Sequence, residues 1–507
     1  ICRVCQEGKT EFFRLSPQPF DAEKYQRLMD GLECSEISLS ALERTTRIDS
    51  EFYSKENLQI SDRMKSYHTQ PITEKFYVSD GNHMSVSDDF REEGIPYYRG
   101  QDIYNTFIES ASPICISEKY YYQQNMERSH LQKNDILLSI VGAIIGNTSM
   151  VYTNRKATCS CKLAIIRPKD KACRSFFVNV FLKSKYGQNQ IQKFRRGTAQ
   201  TGFLLEDMEQ LLVPVFGEVF TNHVQGVMDR LHELITKSQE VYQSAESLLL
   251  STLNLDNYTF STDNTSIKNF SQIDKSGRMD AEYYQPKYDE IEEKLSKFPQ
   301  IKIKDLIKYP VCSGSTPKAG DSRYYTDGNS GIPFVRAVDI VNSRIDTKNF
   351  IYITPGIHNN LLKRTKLKKN DVLFSIAGTV GRCGIFDHDF EANINQAVAI
   401  LRFSEEKIKR QYLVQYFNSS IGKLIIGKYS RQGLQTNLNL EEVSELSIPI
   451  IRYDIQDKIA KLISESFVLR EQSELLLKAA TRAVEIAIEQ DESAAMVYLK
   501  EQTKGDA

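Results

Sequence analysis

Two short stretches of this 507-residue chain carry side chains suited to nucleic acid. The first is Arg195-Arg196-Gly197-Thr198-Ala199-Gln200-Thr201, with Lys193 just before it. The second is Lys428-Tyr429-Ser430-Arg431-Gln432-Gly433-Leu434-Gln435-Thr436-Asn437. Lys and Arg neutralise phosphates, and Arg, Gln, Asn and Thr present donors and acceptors to base edges. The candidate contacts are therefore Lys193, Arg195, Arg196, Thr198, Gln200 and Thr201 in one stretch. Lys428, Arg431, Gln432, Gln435 and Thr436 are those of the other. Arg99 and Arg336 join them from a second matched block. The competing reading of either loop is a solvated turn whose Gln and Thr tie down backbone. Residues 151–200 hold twelve Lys and Arg against one acid, Asp170, whereas 61–150 sums to −4. A solvated face would explain such a run equally well.

Catalytic patterns are missing. No Pro-Pro dipeptide occurs, so the Asp/Asn-Pro-Pro-aromatic motif of amino-methyltransferases is absent. Gly378, Gly381 and Gly384 approach dinucleotide-loop spacing, but the other half of the chain lacks the pattern, and they read as turn glycines. Cys2 and Cys5 make one CxxC and Cys159 and Cys161 one CxC, neither with a second pair at zinc-ribbon spacing. The seven histidines form no HExxH. Asp135 and Asp371 occupy matched positions, yet Asn-Asp before a strand is the signature of a turn residue. The expectation is a non-catalytic chain that binds no metal or cofactor.

The elements that must position these loops come in two copies. Arg47-Ile48-Asp49-Ser50-Glu51-Phe52-Tyr53 returns as Arg278-Met279-Asp280-Ala281-Glu282-Tyr283-Tyr284. Gly94-Ile95-Pro96-Tyr97-Tyr98-Arg99, then Asp102, returns as Gly331-Ile332-Pro333-Phe334-Val335-Arg336, then Asp339. Lys133-Asn134-Asp135-Ile136-Leu137 returns as Lys369-Asn370-Asp371-Val372-Leu373, and from there the offset holds at 235 or 236. Such a period means a duplicated domain rather than a solenoid. Each copy reads as short strands, a helical stretch near 174–195 or 406–426, a Gly/Gln/Thr loop, and a strand ending in Pro214 or Pro449.

After each globule the spacing becomes helical. Val227, Leu231, Leu234, Ser238, Val241, Ala245 and Leu248 alternate steps of 4 and 3, as do Leu462, Ser466, Leu469, Ser473, Leu476, Ala480 and Ala483. This is a coiled-coil seam, and two such stripes in one chain are expected to pair with each other, antiparallel. The alternative is that each helix packs on its own globule. The fold expected is α+β, with two duplicated mixed α/β domains joined by two long helices that form an antiparallel coiled coil. The expected boundaries are an extension 1–28, domains 29–216 and 269–450, helices 217–252 and 451–490, a linker 253–268 and a tail 491–507.

Composition narrows the class. The 65 Lys and Arg against 66 Asp and Glu exclude a globally basic binder but not a local basic face. Apolar residues at 40% allow real cores, and no window of 18 apolar residues suggests a membrane span. Nine unevenly spaced cysteines argue against a secreted disulfide scaffold, so a cytoplasmic location with reduced thiols is expected, without a signal peptide.

In their order and twofold repetition, these blocks resemble the specificity subunit of type I restriction-modification systems. The Gly-Ile-Pro-aromatic block with Arg99 and Arg336, the Lys-Asn-Asp strand, the loops at 197–201 and 433–436 and the heptad helices carry the resemblance, over about 30–490. It implies two target-recognition domains, each reading one half of a split double-stranded DNA site. It also implies that the helices act as a ruler and a docking surface for two methyltransferase subunits, with motor-nuclease subunits completing the complex. S-adenosylmethionine and ATP would then belong to those partners. The alternatives are the recognition portion of a larger fused restriction-methyltransferase and, in another class, a coiled-coil scaffold without a nucleic-acid role. Cys159-Ser160-Cys161 stands where the second copy has Asn393-Ile394-Asn395-Gln396, so the two copies need not read the same sequence.

Overall fold

The structure is a computed structural model. It describes residues 47–503 except 112, 143, 171–172, 198–200, 257, 264, 272, 274–276, 319–320, 322, 329, 348–349 and 432–435. Before residue 47 it describes 2–5, 10–12, 23, 27 and 34–38. The chain divides into two compact units, 1–235 with 471–507, and 236–470. Both divisions fall inside long helices.

The first unit is built on an antiparallel sheet in the order Phe76–Asp80, Leu163–Pro168, Ile136–Ser139, Thr148–Met150. A smaller sheet places Ile95–Tyr98 between a parallel neighbour, Thr158–Cys159, and an antiparallel one, Ile114–Ile116. The second unit repeats both. Val398–Leu401, Asp371–Ser375 and Cys383–Phe386 are adjacent in its larger sheet, and Ile332–Val335 lies between Asn393–Ile394 and Ile351–Ile353 in the other. The cores coincide in position: Ile103, Leu131, Leu137, Ala157 and Leu163 in one, Ile340, Leu367, Leu373, Ala392 and Val398 in the other. The sheets are continuous buried runs rather than alternating ones because both faces are covered. The turn before each central strand needs left-handed backbone at Asn134 (φ 73°) and Asn370 (φ 71°), which asparagine tolerates better than most side chains.

Each single helical stretch expected near 174–195 and 406–426 is instead two helices. They are Ser175–Lys183 with Lys185–Phe194, and Arg410–Asn418 with Ser420–Tyr429. Ser184 and Ser419 break them and cap the second helix of each pair, their hydroxyls accepting from the amides of Gly187 (3.3 Å) and Gly422 (3.2 Å). A Cβ at Gly187 would lie 2.3 Å from the Phe181 carbonyl, and one at Gly422 2.0 Å from that of Tyr416. Only glycine allows the second helix to fold so tightly against the first.

The two long helices are Glu218–Thr252 and Tyr453–Glu489. They run antiparallel. In the first unit Glu492, just beyond the second helix, accepts from the amide of Gly217, just before the first, while Leu476 borders the groove beside Val227 and Arg230. In the second unit the Ser238 hydroxyl donates to the Ser466 carbonyl and the Ser466 hydroxyl to that of Ser238, both at 2.9 Å.

The seam differs in part from the heptad reading. Leu231, Leu234, Leu469 and Leu476 are buried, but Val227, Val241, Leu248 and Leu462 are only half-buried. Val224, Met228, Leu249 and Ile463 take the fully buried places. A straight helix drifts from a strict seven-residue repeat. In addition, Ala245, Leu249, Ile459 and Ile463 share one core with the second globule, so the helices pack on that globule as well as on each other.

Candidate nucleic-acid interface

Each Gly/Gln/Thr loop follows a helix and has its flanking residues joined by backbone bonds. In the first unit the loop leaves Lys185–Phe194 and is clamped at its base by reciprocal backbone bonds between Arg196 and Gly202, both 2.8 Å. In the second, Arg431 and Asn437 form the same clamp beyond Ser420–Tyr429. The repeated Arg-x-Asp block fastens the clamp from outside. Arg47 holds Asp49 in a two-pronged pair and donates to the Arg195 carbonyl at 3.3 Å, and Arg278 holds Asp280 and donates to the Tyr429 carbonyl at 2.9 Å. In the sequence this block stands out by its recurrence. Its recurrence was the available signal of a positioning role.

A second device brings the Gly-Ile-Pro block to the same place. In the first unit the Ser160 amide donates to the Tyr98 carbonyl (2.9 Å), Ile140 to Lys162 (3.0 Å), and Phe203 to Ile140 (2.9 Å). In the second, Asn395 donates to Val335 (3.1 Å), Ile376 to Ala397 (2.8 Å), and Leu438 to Ile376 (2.9 Å). This three-bond relay ties four things together: the strand before Arg99 or Arg336, the segment 160–162 or 395–397, the end of the central strand, and the loop. The strand register matches Thr158–Cys159 to Asn393–Ile394, so Ser160 stands against Asn395 and Cys161 against Gln396.

Arg99 and Arg336 begin tight turns. The Asp102 carboxylate accepts from the Arg99 amide at 2.8 Å, and that of Asp339 from the Arg336 amide at 2.7 Å. Each arginine side chain turns back on the same aspartate, at 3.5 and 3.1 Å from Nε. Burial raises the carboxyls of Asp102 and Asp339 above their ordinary range even with these arginines beside them. Gln101 and Val338, between the paired residues, are exposed.

Most of the expected cations already have a partner within the fold, although Arg196 and Arg431 remain exposed. Lys193 donates to Ser61 at 2.7 Å and lies 4.4 Å from the Phe52 ring centroid, and burial pulls its pKa down to about 8. Its counterpart Lys428 pairs with Glu292 and lies over the Tyr283 ring. Arg196 bonds Asp207 at 2.6 Å, and Arg431 bonds Glu442 at 2.9 Å. Within 151–200, Arg167, Lys156 and Lys185 also have acidic partners. Among the described residues of that run, Arg155, Lys162, Lys169, Arg174 and Arg195 are exposed and without an ion pair, Lys169 donating to the Thr73 carbonyl. Thr201 accepts through its carbonyl from the Gly142 amide at 3.0 Å, and Thr436 is half-buried. Thr198, Gln200, Gln432 and Gln435 lie outside the described residues.

Asp135 and Asp371 are turn residues. Each accepts from a backbone amide, of Gln132 (2.8 Å) or Lys368 (2.9 Å), and from an arginine. The Cys159 thiol is fully buried and driven well above its ordinary range by that burial. Among the described residues, no three His, Cys, Asp or Glu gather as metal ligands would, and no helix is long and apolar enough to cross a membrane.

Residues 295–470 match a family model described as the type I restriction modification DNA specificity domain. The matched span ends at Arg470, where the second unit also ends. The specificity subunit of the type I restriction enzyme EcoBI from Escherichia coli is 27% identical over 158 residues, which are 31% of this chain and 32% of that one. The match thus spans about a third of that relative. Among solved structures, the S subunit of the M. genitalium type I system is 14% identical, covering 86% of this chain and 96% of its own, with a TM-score of 0.34. The HsdS subunit of Thermoanaerobacter tengcongensis is also 14% identical, covering 87% and 97%, with a TM-score of 0.25. Within the matched span lie the second turn, relay and clamp, and the first repeat reproduces all three outside it.

Proposed function

We propose that the chain is the DNA-reading subunit of a type I restriction-modification complex, working in the cytoplasm, and that it binds a bipartite double-stranded site. Each repeat reads one half-site in the major groove through the edge where its Arg-Asp turn and clamped loop meet. Arg195, Thr201 and Thr436 contact the DNA, together with Thr198, Gln200, Gln432 and Gln435 of the same loops. The paired cations Arg99, Lys193, Arg196, Arg336, Lys428 and Arg431 fix the edge and contribute positive potential. The long helices dock two methyltransferase subunits, and a motor-nuclease subunit completes the assembly. Methylation and cleavage belong to those partners, and this chain performs neither alone.

The relay supports this reading most directly. Two copies of one backbone device hold two loops of nucleic-acid-binding composition, as two reading heads require. The test is a titration of duplex DNA with the full chain over a range of salt. A log–log slope of roughly −0.9 per phosphate contact is expected. A flat dependence would leave the coiled-coil scaffold reading in its place.

A further inference from the structure

The two repeats share a frame but not the side chains it displays. Arg99-Gly100-Gln101-Asp102 and Arg336-Ala337-Val338-Asp339 have the same capping-box geometry, with first-residue φ/ψ of −117°/168° and −112°/166°. The aspartates point inward and are 7% and 4% exposed. The tips face outward, and Val338 is 56% exposed. The chemistry of the tips differs: an amide in one repeat, an apolar branched side chain in the other. Among the described residues neither tip side chain has a hydrogen-bonding or ionic partner.

The second point of difference lies one relay step away. Ser160-Cys161-Lys162 and Asn395-Gln396-Ala397 occupy the same backbone path, fixed at both ends by matched bonds. Lys162 and Gln396 are the exposed members of these segments. The frame residues are thus duplicated, and the exposed ones have diverged.

A base-reading group must be held on a rigid element, because ordering a free side chain at the interface costs entropy. It must also differ between heads that read different sequences. From the coincidence of a duplicated frame and divergent tips, we infer that Gln101 and Lys162 set the base preference of the first repeat, and Val338 and Gln396 that of the second. The inference rests on the DNA-reading function proposed above and assigns its specificity to four residues outside the Gly/Gln/Thr loops. The chemistry gives each a base. The Gln101 and Gln396 amides match adenine N6 and N7, the Lys162 ammonium matches guanine O6 and N7, and the Val338 methyls pack on the thymine methyl.

The experiment is selection from a randomised duplex library by the full chain, with sequencing of the bound fraction. The wild type is expected to enrich two blocks, and Gln101→Val should change one base pair in one block only. Val338→Gln should change one base pair in the other block. The altered preference at that position should be on the order of tenfold to a hundredfold. Binding to a scrambled duplex measures the phosphate contacts and should be unchanged in both variants. Gln101→Glu is the second variant, should Gln101→Val fail to bind: its carboxylate accepts from cytosine, so adenine should give way to cytosine. Two intact blocks in variants that still bind would overturn the assignment. Enrichment of no block by the wild type would instead overturn the DNA-reading function itself.

Discussion

The Asp135 carboxylate lies in the fork of Arg167, 2.9 Å from Nε and 2.6 Å from Nη2, with no exposed surface of its own. Asp371 and Arg402 repeat the pair at 2.7 and 2.6 Å. Each arginine also donates to a backbone carbonyl of the preceding loop, His130 or Lys366, so one guanidinium ties strand, turn and loop together.

Asp135→Ala strands a half-buried guanidinium and frees the Gln132 amide. The expected loss is about 3–5 kcal/mol of stability, as for other buried pairs broken on one side. Denaturant unfolding of the variant measures it. A loss under about 1 kcal/mol would mean the turn holds without the pair.

Arg195 and Arg196 should separate in function. Arg195 is exposed without an ion pair, so Arg195→Ala should lower the salt slope of DNA binding by about 0.9 and leave thermal stability unchanged. Arg196 neutralises buried Asp207, so Arg196→Ala should chiefly lower stability, by about 1–3 kcal/mol. Equal effects of the two on the slope would contradict this division.

Lys193 gives a pH signature. Its folded pKa of about 8 lies below the ordinary lysine value of 10.5, so between these limits the unfolded chain holds a proton that the folded chain has lost. Stability should therefore rise with pH across that window, by at most about 1.4 kcal/mol per unit from this residue. Below the window both states are protonated and the contribution is constant. Comparing urea midpoints of wild type and Lys193→Met from pH 7 to 10.5 isolates the term, and parallel curves would remove it.

The meeting of Ser238 and Ser466 tells where the long helices can be extended in register. Inserting one heptad beside each should add about 10 Å to both strands of the pair. If the helices set the distance between half-sites, the preferred spacer lengthens by about three base pairs. An unchanged spacer with binding retained would show that they do not.

Much of this architecture was legible in the residues alone. The duplication, the buried strands, the Lys-Asn-Asp turn and the two long helices follow from local chemistry, since each is a pattern along the chain. Apolar runs must be covered, asparagine accepts the left-handed turn, and a 4-3 spacing makes a stripe that needs a partner. Tertiary structure decided which cations are free. Lys193, Arg196, Lys428 and Arg431 look like loop cations in sequence, but their acids and hydroxyls come from residues up to 136 positions away. A charge is spent or available according to what folds against it, and linear order does not record that. For the same reason the Arg-x-Asp block could be recognised as a repeat but not as the fastening of a loop 148 residues further on. The helix seam drifted from its heptad in part because the second globule competes for the same faces, a competition that exists only after the chain has folded.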